Sequence, residues 1–364
     1  MKKVLFVTHN GRFLVQFELN DIQILQELGY EVHCATNFDG ETMRADAENT
    51  LKEHGVICHS IPIERSPLRL RENLNAYRAL KSLLKKEHFA GVHCHTPMGG
   101  VVGRLAANAT HTAPVLYTAH GFHFYTAETF LARYTDAQIT INQEDYAAAQ
   151  KFPLRGKAYY VPGIGVDVKK ISSVQVDRAT KRKELGIPED AFAFLTVGEL
   201  IPRKGHELLI RAFAKSNISG AQLLICGSGR EKEHLTALIK ELGISDRAHL
   251  LGFRNDIYEL LKCADAFVFP SKQEGLPVAL MEAMAASLPC IASRIRGNVD
   301  LLPDSRYLFE ASDESTLCQL MQDAVNGVQV DQECAQNKKA LEQFDVKNVS
   351  ECMKNTYMEL LGEK

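Results

Sequence analysis

Short apolar runs alternate with longer amphipathic runs along the whole chain, and this rhythm constrains the fold more than any other feature of the sequence. In the first half, residues 4–8, 32–35, 57–63, 91–95, 115–119 and 137–141 read as strands, with helical patterns such as 13–28, 72–86 and 100–109 between them. The second half restarts the pattern at 192–197, 223–226, 249–251, 266–269, 290–292 and 307–309, with helices such as 206–214, 230–242 and 278–286. Strands that alternate with helices predict a mainly parallel sheet covered on both faces. Two successive patterns predict an α/β chain of two Rossmann-like, doubly wound domains, 1–165 and 166–346, that face each other across a cleft. The break falls at Val161-Pro-Gly-Ile-Gly165, where one proline and two glycines interrupt both helix and strand. A last helical stretch, about 347–361, follows the second sheet and is assigned to the first domain as one place it can pack.

Length supports the division, since 364 residues exceed what a single core usually organises. A net charge of −3 gives the chain as a whole no pull toward nucleic acid. The nine cysteines are scattered and none forms a CxxC pair, so neither a zinc knuckle nor a thioredoxin-type site is signalled. They fit a reducing compartment, and a cytoplasmic location is expected. The apolar run after Met1-Lys2-Lys3 stops at Thr8, short of an export core, and no stretch approaches the roughly 20 apolar residues of a membrane span.

The most informative segment runs from Ser271 to Cys290 and follows a predicted strand. Pro277 suits the first turn of a helix. Gly275 and Leu276 then offer backbone N–H groups at a helix start, where phosphates bind. Glu274 lies on the loop, and Glu282, eight residues on, lies just over two turns along the same helix edge. Upstream, the segment Val197 to His206 carries the cations Arg203 and Lys204 at another strand end, and a departing diphosphate needs such charge. Read without further context, Glu274 and Glu282 also fit an ordinary loop acid and a solvated helix acid.

Glu274-Gly-Leu-Pro-Val-Ala-Leu-Met-Glu282 resembles the paired-glutamate signature of glycosyltransferase family four, and the resemblance covers essentially the whole chain. It implies a retaining sugar-transfer enzyme with two Rossmann-like domains. It further implies that Glu282 binds the ribose hydroxyls of a nucleotide sugar, that Glu274 contacts the donor sugar, and that the Gly275 and Leu276 amides and Lys204 hold the phosphates. Glu199 stands where many members carry an arginine, which leaves Arg203 as the second cation. The turn Cys226-Gly-Ser-Gly-Arg-Glu231 is similar to one that lines the donor site, which singles out Gly227. Leu251-Gly-Phe-Arg-Asn255 is similar to the element whose main chain reads a uracil edge, which singles out Phe253 and Arg254. The bland alternative for Phe253 is a core position. In the first domain, Tyr117-Thr-Ala-His-Gly-Phe-His-Phe-Tyr125 resembles the segment of the active-site histidine. His120 inherits either a hydrogen bond to the sugar or help with the acceptor's proton, and His123 is a weaker acceptor-side candidate. His95 and Thr96 end another strand in a segment similar to the subgroup that builds capsular and exopolysaccharide repeat units. Gly11 belongs to a loop expected to close over the donor phosphates, or simply makes a turn. No metal or cofactor is expected, with a UDP-sugar as the donor substrate.

Residues 65–88 carry seven cations (Arg65, Arg69, Arg71, Arg78, Lys81, Lys85, Lys86) against Glu72 and Glu87, a net of +5. Leu70, Leu74, Tyr77, Leu80 and Leu84 recur there at helical spacing, which fits a helix on an anionic membrane and equally a core-packed helix with a solvated basic face. The resemblance points to a polyprenyl-diphosphate-linked saccharide acceptor at the inner face of the cell membrane. A sugar-nucleotide epimerase or hydrolase, or a non-catalytic sugar-nucleotide-binding subunit, fits the same two-domain plan. A dehydrogenase does not, because no complete GxGxxG follows a strand.

Overall fold

The computed structural model describes residues 1–38, 42–122 and 124–362, and the backbone alone for 42–45. The chain divides into two units: Met1–Ile164 joined by the segment from Lys347 onward, and Gly165–Val346.

In the first unit, β1 (Lys3–Val7), β2 (Glu31–Thr36), β3 (Ile57–Ser60), β4 (Gly91–His95), β5 (Val115–Ala119), β6 (Ala137–Thr140) and β7 (Lys157–Tyr160) form one parallel sheet in the order β3-β2-β1-β4-β5-β6-β7. Helices cover both faces, so the central strands are apolar on both sides. Val4 and Phe6 pack with Leu14 and Leu25 on one face. Leu5 and Val7 pack with Leu80, Leu84 and Val102 on the other. Three elements differ from the sequence reading. The helix expected over 13–28 breaks at Glu18 (φ −120°, ψ 2°) into Gly11–Phe17 and Leu19–Glu27. The strand expected over 57–63 ends at Ser60, although Ile61 and Ile63 stay buried. The edge strand β7 has no apolar run to announce it, because its residues are only partly covered.

The helix Val346–Leu361 packs on this unit. Its Val349, Met353, Tyr357 and Leu361 recur every fourth residue, and all four enter the cluster around Val4 and Phe6. That spacing lines one helix face, and burying such side chains contributes roughly 1.5–3 kcal/mol each.

The second unit holds β8 (Ala193–Val197), β9 (Gln222–Cys226), β10 (Ala248–Gly252), β11 (Ala266–Phe269), β12 (Cys290–Ser293) and β13 (Leu308–Phe309), again all parallel, in the order β10-β9-β8-β11-β12-β13. Phe194, Phe213, Leu223 and Phe309 anchor its core. In both sheets the strand order reverses beside the first strand, between β1 and β4 and between β8 and β11. Open parallel sheets bind ligands at the carboxyl ends flanking such a reversal. All nine cysteines are free thiols. Among the described residues, no helix is long and apolar enough to cross a membrane.

Candidate functional site

The reversal in the second unit brings two loops together. After β8 the chain makes a turn at Pro202–Lys204 and enters the helix His206–Ser216 through Gly205. Gly205 has φ +71°, and a Cβ there would lie 2.1 Å from the Pro270 carbonyl oxygen, so only glycine fits. After β11 the chain runs through Ser271 and Glu274 to Pro277, which caps the helix Val278–Ala285 rather than lying inside it. The loops are tied by Lys272 N–H to Arg203 O (2.8 Å) and by the Ser271 hydroxyl to the same oxygen (3.2 Å).

Glu274 and Lys204 meet at this junction. Lys204 Nζ donates to Glu274 Oε1 at 2.6 Å, and the Ser271 hydroxyl donates to the same oxygen at 2.6 Å. Both charged side chains are largely buried, at 15% and 10% exposure, so the pair is held in fixed geometry. Arg203 is looser, 3.5 Å from Glu274 Oε1, and its guanidinium also donates to the Gln273 carbonyl. Sequence reasoning aimed these charges at a ligand one by one. The structure shows them neutralising each other first, and it adds Ser271, which no motif singled out. Gly275 and Leu276 immediately precede the Pro277 cap, with Leu276 buried.

Glu282 projects from the second turn of that helix and hydrogen-bonds with Tyr258, a partner the sequence did not suggest. Burial pushes its carboxyl up to about 7, and the Tyr258 hydroxyl only partly offsets this. Burial likewise pushes Tyr258 up to about 12. Gly227 answers a packing demand, since a Cβ would fall 1.8 Å from the Gly198 carbonyl oxygen, and the Cys226–Ser228 turn is hydrogen-bonded to the loop after β8. Phe253 is 65% exposed, which removes its core reading. The Arg254 guanidinium is committed to Asp256 (2.7 and 2.5 Å) and Glu184 (3.0 Å). A cavity of about 320 Å³ opens beside the Pro202–Lys204 turn, walled by Ile201, His206, Arg211, Glu231 and Lys272 rather than by Glu274 or Glu282.

In the first unit, His120 follows β5 with its side chain 21% exposed, and the Phe13 ring meets it edge-on at 4.8 Å. His95, at the end of β4, is fully buried and stacked on Phe6. It therefore reaches solvent only through its neighbours. Between the two histidines lies Glu18, 3% exposed, with Oε1 3.3 Å from His95 Nδ1 and 3.3 Å from His120 Nε2. Glu18 Oε1 and His95 Nε2 make no hydrogen bond. Beneath them, His93 bonds to Tyr357 (2.8 Å) and Thr118 (2.7 Å), and Tyr357 donates to Asp21 (3.1 Å). Burial pushes His93 and His95 below the usual imidazole range, and burial together with the Glu18 charge pushes Asp21 well up. Thr96 caps the helix Pro97–Thr110 and lies 3.3 Å from the Thr8 hydroxyl. Gly11 opens the helix Gly11–Phe17, where a Cβ would come within 2.7 Å of the Phe38 ring. His123 lies outside the described residues.

Two doubly wound units, each with polar loops gathered where its strand order reverses, define the GT-B class, and similarity agrees. Residues 3–150 match the family model "Glycosyl transferase 4-like", and residues 177–341 match "Glycosyl transferases group 1". The Bacillus subtilis strain 168 protein named "Putative glycosyltransferase EpsD" is 36% identical over 85% of this chain and 83% of its own length. The UDP-Gal:alpha-D-GlcNAc-diphosphoundecaprenol alpha-1,3-galactosyltransferase of Escherichia coli is 32% identical over 68% of this chain and 69% of its own. The Anabaena protein Alr3699/HepE, solved in complex with UDP-glucose, superposes with a TM-score of 0.81 at 20% identity over 99% of this chain and 100% of its own, which speaks for the fold. The chain belongs to the group 1, 4-like glycosyltransferases, and it is a sugar-transferring enzyme.

Proposed function

We propose that the protein is a retaining transferase that moves a sugar from a UDP-sugar to a polyprenyl-diphosphate-linked saccharide in surface polysaccharide biosynthesis. The observation that carries this is the Lys204–Glu274 pair, fixed by Ser271 at the carboxyl ends of β8 and β11. A ligand diphosphate beside it meets the Lys204 ammonium, the Arg203 guanidinium and the N–H groups before the Pro277 cap, without a metal at the phosphates. Glu282, in the second turn of the helix, takes the ribose hydroxyls. The backbone at Phe253 and Arg254 takes the base, and Glu274 takes the donor sugar, with N-acetylhexosamines among the candidates. His120 serves the sugar or the acceptor hydroxyl, which attacks from the face the diphosphate leaves. The uridine nucleotide and lipid-diphosphate acceptor are supported by the activity named for the E. coli relative.

A location on the inner membrane face is part of the same reading. The helix Leu70–Glu87 buries Ala76, Leu80 and Leu84 in the core, whereas Leu68, Leu70 and Leu74 stay exposed among Arg65, Arg69 and Arg71. The apolar stripe read from the sequence thus splits, and its N-terminal part fits a lipid surface.

A thermal-shift screen of nucleotide sugars tests the donor. A ligand at about a hundredfold above its Kd stabilises by roughly 2.7 kcal/mol. Glu282→Ala should lose the UDP shift, while Glu274→Ala should keep it and lose transfer. Unaltered binding and transfer in both variants would overturn the assignment.

A further inference from the structure

The Glu18–His95–His120 triangle is poorly explained as a set of hydrogen bonds. Its edges are 3.3, 3.3 and 3.5 Å. Hydrogen bonds between a charged nitrogen donor and a carboxylate run about 2.7–2.9 Å, so both carboxylate edges are long, and the imidazole–imidazole edge of 3.5 Å is a weak contact. Glu18 Oε1 makes no hydrogen bond, although the residue is only 3% exposed. Its ion-pair neighbours among the described residues are these two histidines, with no lysine or arginine. A buried carboxylate held so loosely is costly unless a cation compensates it.

Three atoms bound to one tetrahedral ion at about 2.0–2.1 Å stand about 3.3–3.4 Å apart, which is the size of this triangle. We propose that Glu18, His95 and His120 are the protein ligands of a single divalent transition-metal ion of the zinc class. Two imidazoles and one carboxylate form a borderline donor set that suits Zn²⁺, Co²⁺ or Fe²⁺ better than the oxygen-seeking Mg²⁺ and Ca²⁺. The ligands are pre-placed: Phe6 stacks on His95, Phe13 meets His120 edge-on, and the helix break at Glu18 sets the carboxylate between them. A cavity of about 20 Å³ bordered by Glu18, Asp21, Thr118 and His120 adjoins two of the three ligands and has room for one small ligand such as water. The partly exposed His120 provides the way in.

The sequence expectation of no metal rested on the lack of a ligand motif. Here the ligands come from a helix break and two strand ends far apart in the chain, so no local spacing announces them. The site lies wholly in the first unit; the ion engages His120 through Nε2, so the sugar or acceptor role proposed above falls to its Nδ1–H.

The test uses the tag-free, full-length chain, stripped with a chelator and titrated with Co²⁺. One equivalent should bind with the intense visible bands of a tetrahedral ion, and Zn²⁺ should abolish them. Glu18→Gln, nearly equal in shape, and His120→Ala, at the partly exposed ligand, should each weaken binding by more than about a hundredfold, since loss of an outer-shell partner alone costs about 10- to 100-fold. Glu282→Ala should bind Co²⁺ like the wild type, which separates this site from the donor assignment. Absence of the tetrahedral bands in the wild type, or their persistence in a folded Glu18→Gln or His120→Ala variant, would overturn the proposal.

Discussion

Replacing Glu282 by glutamine exchanges a half-buried acid for a neutral side chain of the same shape. Burial raises the folded-state carboxyl from its ordinary 4.5 to about 7. Between those two values the folded protein keeps a proton that the unfolded chain has released, so stability falls with rising pH across that window and levels off above it. At about 1.4 kcal/mol per pH unit, the whole effect is roughly 3 kcal/mol. Glu282→Gln has no such proton to lose. For a domain of this size, the wild type should therefore drop by roughly 6–10 °C relative to the variant between about pH 5 and about pH 8. Melting curves at several pH values, followed through the transition that UDP shifts, read this directly. The nucleotide should act in the opposite sense: ribose hydroxyls favour the ionised carboxylate, so UDP affinity, taken relative to Glu282→Gln, should rise with pH up to about 7. Melting temperatures that run parallel for the two proteins from pH 5 to pH 8 would refute the reasoning.

Two further outcomes follow from the first unit. Arg104 is fully buried, bonds to Glu128 at 2.8 Å and stacks 3.9 Å from the Tyr117 ring, so Arg104→Met leaves the buried Glu128 without its cation, although the Tyr117 hydroxyl still donates to it at 3.2 Å, and should cost about 3–5 kcal/mol in urea unfolding. Adding Glu128→Leu should recover much of that loss. The chain should bind vesicles containing acidic lipids and leave them at about 0.5 M salt, where the Debye length falls to roughly 4 Å. Leu68→Ser with Leu70→Ser should weaken that binding without changing the melting temperature, since both leucines are exposed.

Glu274 and Glu282 were legible in the sequence because their spacing on a strand-loop-helix segment already places them at a ligand-binding edge. Lys204 was legible as a cation at a second strand end. Its partner was not: the two residues are 70 positions apart, and their contact exists only because β8 and β11 pair. His95 read as an open strand-end residue, yet helix packing buries it completely, since β4 is central in its sheet. Glu18 was hidden for a different reason. It lies within what reads as a continuous amphipathic helix, and the break that turns its carboxylate toward two histidines leaves no local signature.

What the sequence determined by itself was therefore the set of local choices. Apolar runs of strand length, the helices between them and the proline-glycine break specify two doubly wound parallel sheets, because short-range periodicity and burial on both faces admit few other arrangements. Tertiary structure alone decided which charges meet, which histidine is exposed and where the last helix docks. Those outcomes depend on strand order and on contacts between residues tens to hundreds of positions apart, and chain-local chemistry carries no record of such contacts.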